Sequence, residues 1–253
     1  TKDKTYFLEG MVFVNAGSVL TIEAGTVIKG KTGVGGNASA LIVARGGKIM
    51  AEGTAALPII FTSEADKDTK RGSDGTLTQS TSLDHTQTGL WGGLIVLGNA
   101  GLNSTPGQTA IEGIPTTESR GMYGGSNDAD NSGVLKYISI RHGGTDIGAG
   151  NEINGLSLGG VGSGTTIDYV EIYANADDGI EFFGGTVNAK HLLVSNTGDD
   201  SFDYDEGFRG KGQYWVSLSP GDRHGEHDGG TDPETAQPYA TPTIYNATYI
   251  GTG

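Results

Sequence analysis

The strongest constraint on this chain is a mixed pattern of apolar, acidic and turn residues that returns after 22 positions. The stretch 170–182 (VEIYANADDGIEF) aligns with 192–204 (LLVSNTGDDSFDY), so that Val170 meets Leu192, Ile180 meets Phe202 and Glu181 meets Asp203. Asp177 and Asp178 fall on Asp199 and Asp200 in the same alignment. One repeat earlier, Asn154-Gly155-Leu156 matches Asp178-Gly179-Ile180 at an offset of 24. The run 135–140 (LKYISI) matches 167–172 (IDYVEI) at an offset of 32, which places an insertion near Asp146–Glu152. A period in the low twenties suits three strands of ~4–5 residues plus three turns, one full coil of a solenoid. A sandwich has no reason to return equivalent residues at that spacing with their polarity preserved.

Short strand signals run throughout the chain, whereas apolar residues at helical spacing with capped ends do not. Met11–Val14, Val19–Ile22, Ala40–Val43, Ile59–Thr62 and Leu94–Leu97 are each bounded by Gly, Asn, Asp or Pro. Apolar residues make up only 35% of the chain while Gly contributes 45, a balance that suits frequent sharp turns better than a conventional core. In the N-terminal half, the run beginning Gly17-Ser18-Val19 is echoed by the run beginning Gly47-Lys48-Ile49. Polar stretches at 64–89, 103–132 and 220–242 read as excursions from the corners of continuing coils. The chain therefore reads as one all-β domain over 1–253, a right-handed parallel β-helix of three sheets with long corner loops. Thr1 is not Met, and 243–250 reads as fresh strand, so a longer parent chain is expected.

With 16 Lys and Arg against 30 Asp and Glu, the net charge of −14 argues against nucleic acid and anionic membranes as partners. It favours cations. The absence of Cys excludes disulfides and thiolate metal sites. No run of 18 apolar residues exists to span a bilayer, and no organic cofactor motif stands out. Gly-rich 159–164 mimics a phosphate loop, but no Lys-Ser/Thr pair closes it and no helix follows.

The segments 19–29 (VLTIEAGTVIK), 51–63 and 90–98 (LWGGLIVLG) resemble the opening coils of bacterial surface and secreted proteins with a pectin-lyase-like β-helix. The resemblance covers nearly the whole chain. It implies export, an extracellular or outer-surface location, and an extracellular glycan or protein partner. It names no activity, since the superfamily includes lyases, hydrolases, adhesins and inert spacers.

Strand parity sorts the acids. If Ile180, Phe182, Phe202 and Tyr204 point inward, Asp177, Glu181, Asp199, Asp203 and Asp205 point outward. Asp178 and Asp200 share the inward parity, which suits turn residues that accept bonds from backbone N–H groups. Neighbouring coils lie ~4.8 Å apart, so Asp177 is expected near Asp199 and Glu181 near Asp203. Like charges at that distance repel by about 3 kcal/mol at an effective dielectric of 20. Arg209 and Lys211 are the expected cationic partners. A set of Asp177, Glu181, Asp199 and Asp203 would otherwise favour a hard cation such as Ca²⁺.

A catalytic reading stands beside this one. Asn175-Ala-Asp177-Asp178, Gly198-Asp199-Asp200 and His224-Gly225 resemble the three motifs of polygalacturonase-like hydrolases in order and spacing. That resemblance implies Asp178, Asp199, Asp200 and His224 as catalytic groups, with Asp177, Glu181, Asp203, Asp205, Arg209 and Lys211 binding a glycan. However, Arg223 replaces the family's Gly before His, and its later Arg-x-Lys motif is missing. His142 reads as a turn residue, and His224-Gly-Glu-His-Asp228 resembles a metal cluster in composition only. If exposed, Trp91, Tyr123 and Trp215 could stack on sugars, although packing is the commoner fate of Trp. The incomplete motif match favours a non-catalytic surface module, structural, adhesive or glycan-binding, over a hydrolase or lyase.

Overall fold

The computed structural model describes residues 1–72, 74–148, 151–230 and 233–251. The expected insertion near Asp146–Glu152 and the excursions 64–89 and 220–242 each include one or two positions outside these residues. Seven parallel strands form the first face: Met11–Val14, Ala40–Val43, Leu94–Leu97, Leu156–Gly159, Ile180–Phe183, Phe202–Asp205 and Glu226–His227. A sheet of eleven strands supplies the rest. Between Gly133 and Leu218 its members are long: Gly133–Arg141, Thr166–Tyr173, Asn188–Ser195 and Lys211–Leu218. Each bends at one left-handed residue, Tyr137, Tyr169, His191 and Tyr214, with φ of 49°, 54°, 51° and 59°.

The bend admits an extra outward residue and so divides the sheet into a second and a third face. Within Asn188–Ser195, Ala189 is buried before the bend, and Leu192 and Val194 after it, while Lys190 and His191 both face out. Nearer the N-terminus the two faces have separate strands. Val19–Ile22 and Lys48–Glu52 belong to the second, Val27–Gly30 and Ile59–Ser63 to the third. The chain is thus a three-faced parallel β-helix.

The repeat offsets become strand register. Ile180 pairs with Phe202 and Glu181 with Asp203, Val170 with Leu192, Leu156 with Ile180 and Leu135 with Ile167. One alignment shifts: Leu20, not Val19, lies opposite Ile49. Inward parity sets this register, because Val19 is exposed while Ile22 and Ala51 are buried.

Inward side chains stack from coil to coil. Phe182 lies on Phe208 at 4.6 Å and on Trp215 at 5.4 Å, and Phe202 on Trp215 at 4.8 Å. The Trp215 indole N–H donates to the Ala189 carbonyl at 3.1 Å, and that of Trp91 to Arg141 at 2.8 Å. Trp91, Tyr123 and Trp215 are at most 2% exposed, so none of the three offers a face to a sugar.

A second apolar cluster lies outside the first face. Its sheet members are Ala40, Ile42, Ile95, Leu97 and Phe183, and the segment after Leu97 covers them with Leu102, Ile111, Ile114 and Tyr123. The excursion expected at 103–132 therefore folds back as a roof. Thr109–Ala110 and Met122–Tyr123 form a small antiparallel ladder within it, and the Arg120 guanidinium sits 3.8 Å above the Phe13 ring.

Candidate functional site

Along the outward row of the first face, Ile42 is followed by Ile95, Ser157, Glu181, Asp203 and Glu226 on successive coils. The row changes from apolar to acidic at mid-length, and the roof spans the change. Glu181 points outward as its parity requires, yet it is only 7% exposed because the roof closes over it. Asn154 binds the acids together: its Nδ2 donates to Glu181 Oε2 at 2.5 Å and to Glu112 Oε1 at 2.7 Å. Glu112 comes from the roof, which has no coil periodicity, so sequence reasoning had no register on which to find it.

Burial dominates the electrostatics. It pushes Asp178 and Asp205 up to about 9, Asp203 and Glu112 up to about 7, and Asp177 up to about 6. Glu181 moves well above the ordinary carboxylate range for the same reason, with Glu112 and Asp203 adding repulsion. One oxygen each from Asp178, Glu181 and Asp203 lies within 4.8 Å of the others, and the same holds for Asp177, Asp178 and Asp199. A third such group, Asp199, Asp200 and Asp222, is more open, since Asp199 and Asp222 are exposed. The structure thus divides the expected set of Asp177, Glu181, Asp199 and Asp203 between two adjoining groups.

Asp178 and Asp200 accept backbone bonds. Asp178 Oδ1 takes the N–H of Asp200 at 2.9 Å, and Asp200 Oδ1 takes that of Arg223 at 2.6 Å. The Arg223 guanidinium also stands 3.6 Å from Asp200 Oδ2. Hence the residue that departs from the hydrolase motif is the one engaging Asp200. His224 is committed elsewhere: its Nδ1 meets Ser217 Oγ at 2.6 Å, and its ring stacks on Tyr249 at 5.2 Å. His227 stacks on Tyr204 at 4.3 Å, and no histidine joins a three-ligand group among the described residues.

The expected cationic partners do not serve the ladder. Arg209 pairs with Asp128 at 3.2 Å and donates to the Gly207 carbonyl at 2.7 Å. It leaves the first face with the chain at Gly207, where the roof's Asp128 meets it. Lys211 opens a strand of the second face, beside Asn188 and Thr243, and its side chain is exposed. Among the described residues, no Lys or Arg forms an ion pair with Glu112, Asp178, Glu181, Asp203 or Asp205.

A second outward feature escaped the sequence reading. Tyr137, Tyr169, His191 and Tyr214 stack at 4.4, 4.1 and 5.0 Å along the bend between the second and third faces. The aromatic residue preceding a buried apolar one in each coil (Ile138, Val170, Leu192 and Trp215) was its signal. Because each inner ring is covered on both sides, the column spends its π faces on itself and leaves mainly ring edges to solvent.

A three-faced parallel β-helix with a roofed, acidic outer face defines the class of protein. The chain belongs to the pectate-lyase like β-helix domain family, whose pattern matches residues 1–79 and 78–253. No curated protein matches the sequence.

Proposed function

We propose that this chain is a non-catalytic β-helix module of an extracellular or cell-surface protein, a rigid rod that presents loops to a glycan or protein partner. The observation that carries the reading is the roof. A polysaccharide-cleaving site on this face would need two carboxylates facing each other across open space, with room for a sugar ring and water. Instead, Leu102, Ile111, Ile114 and Tyr123 pack on the sheet, and Glu112 and Glu181 share the Asn154 amide. Family membership supports the architecture and is neutral on chemistry, since function resides in a site rather than a fold. No helix among the described residues is long and apolar enough to cross a membrane.

One observation favours a second reading, a glycoside hydrolase or lyase. Asp177, raised to about 6 chiefly by burial, lies beside the exposed Asp199. A partly buried acid with a raised pKa beside a second, exposed carboxylate is an arrangement that acid–base chemistry uses. Incubating the protein with acidic and neutral polysaccharides, and assaying reducing ends and unsaturated products, separates the readings. No product is the expected result. Product formation that disappears in Asp199→Asn and Asp200→Asn would establish the enzyme instead.

A further inference from the structure

The third face has an outward row of its own, which reads Ile60, Ser139, Glu171, Leu193 and Val216 on successive coils. It is apolar except at Ser139 and Glu171, and at those two coils the segment 77–83 stands beside it. Two adjoining hollows of about 170 and 210 Å³ lie between that segment and the sheet, with Gln79, Arg141 and Glu171 as their common wall. Tyr137 and Tyr169 line the first hollow, and Tyr173 lines the second. At ~3.3 Å per strand residue, Tyr169 and Tyr173 stand at most ~13 Å apart along the chain.

Ser139, Arg141 and Glu171 lock one another in place. The Ser139 hydroxyl donates to Glu171 Oε2 at 2.5 Å, Arg141 Nε donates to Ser139 Oγ at 2.6 Å, and Arg141 Nη2 donates to Glu171 Oε2 at 3.0 Å. Glu171 Oε1 and Arg141 Nη1 make no hydrogen bond among the described residues. The Glu171 side chain is 34% exposed, so a ligand can reach it. An acceptor and a donor are thus held side by side with their charges cancelled. Adjacent hydroxyls of a sugar ring, one donating and the other accepting, match that pair. An anion would meet the Glu171 carboxylate and a cation the Arg141 guanidinium, so the pair selects a neutral polyol.

We propose, taking the chain as the partner-presenting module argued above, that it binds a neutral polysaccharide, a short stretch of which lies across the third face between Tyr169 and Tyr173. Two adjacent hydroxyls of one sugar unit engage Arg141 Nη1 and Glu171 Oε1. Pro58 and Leu77, which line the first hollow, meet the C–H surface of that unit. Tyr173 bounds the second hollow, its ring edge-on to the buried His142 at 5.6 Å, and offers an apolar body with a polar tip. The segment 77–83 supplies the outer wall, which makes the excursion at 64–89 part of the binding surface. None of the acids of the first face takes part.

The test titrates the whole chain by calorimetry with cellohexaose and with mannohexaose, neutral β-1,4-linked sugars whose units keep two adjacent free hydroxyls. Hexagalacturonate serves as the charged counterpart. We expect a neutral sugar to bind and hexagalacturonate to bind more weakly. Glu171→Gln and Arg141→Lys should each weaken binding about tenfold, the loss of one charge-assisted hydrogen bond, while Asp222→Asn should leave it unchanged. Failure of both neutral sugars to bind would overturn this site and leave the module reading with a protein as its partner. Tighter binding of hexagalacturonate would overturn the neutral class, and full binding in both Glu171→Gln and Arg141→Lys would overturn the location. Cleavage of the bound sugar, read as new reducing ends in the same samples, would overturn the non-catalytic reading and leave the site in place. Should either variant fail to fold, amide exchange of the unsubstituted protein decides. Bound sugar should slow exchange in 77–83, and binding that leaves this segment unprotected would place the sugar elsewhere.

Discussion

Tyr169 and His191 stack one coil apart, with ring centroids at 4.1 Å and planes within 5° of parallel. Both residues have left-handed backbones, at φ 54° and 51°, a conformation that is strained for bulky side chains. Their stacking offsets that strain. Aromatic pairs contribute about 0.5–1.5 kcal/mol beyond area burial, and Tyr169 makes two, with Tyr137 and with His191. Tyr169→Ala should therefore destabilise by about 1–3 kcal/mol, because it loses the stacks and keeps the strain. Tyr169→Gly should lose less, since Gly accepts positive φ freely. Urea unfolding of both variants checks the order, and Gly proving the worse of the two would show that the column does not offset backbone strain.

Much of this architecture was legible before any coordinates. Glu181 and Asp203 fall in register because β-helix coils differ little in length wherever no excursion interrupts them. The same offset placed Asp178 next to the coil of Asp200, where the backbone bond between them is found. The site's depth was not legible. Parity correctly placed Glu181 on the outer side, but exposure depends on what covers that side, and the roof has no repeat from which to infer its path. Arg209 misled for a related reason, since sequence proximity to the ladder counted for less than the roof's Asp128, which reaches it.

The acid cluster should give the protein an unusual pH dependence. Asp177, Glu112, Asp203, Asp178 and Asp205 lie between about 6 and about 9 when folded, against about 4 in an unfolded chain. The folded state therefore binds more protons across that interval. Its stability is greatest below the unfolded value and is lost as pH rises through the folded ones. Tm should fall between pH 5 and pH 9, opposite in slope to a protein held by salt-bridged carboxylates. A Tm that is flat or rises over this range, measured by calorimetry at constant ionic strength, would contradict the burial of these groups.

Gly133 begins the long strand that re-enters the helix after the roof. Its φ is +116°, and a Cβ there would lie 1.9 Å from the Ile49 carbonyl oxygen. Neither backbone can yield without breaking the pairing of Gly133 with Ile49. Gly133→Ala should destabilise by about 3 kcal/mol. Gly148→Ala provides a comparison, for φ is +119° but nothing lies within 4 Å of the added carbon. Equal losses in the two variants would mean that backbone conformation alone, and not the close approach to Ile49, sets the penalty.

Tyr123 fastens the roof where the chain leaves the first face. Its hydroxyl donates to Glu206 Oε2 at 2.7 Å, both groups are buried, and its ring meets Phe183 at 6.0 Å. Burial and the Glu206 charge push the phenol far above its ordinary value, so it remains a donor throughout the accessible pH range. Tyr123→Phe keeps the ring and removes only this bond, which should lower stability by about 1–3 kcal/mol. Tyr123→Ala should lose about 3–5 kcal/mol, because the cavity opens the second cluster as well. If the roof were a loosely attached loop, both variants would unfold like the parent and only proteolysis between 102 and 124 would change. Limited proteolysis read alongside urea unfolding therefore tests whether the roof and the coils unfold as one unit.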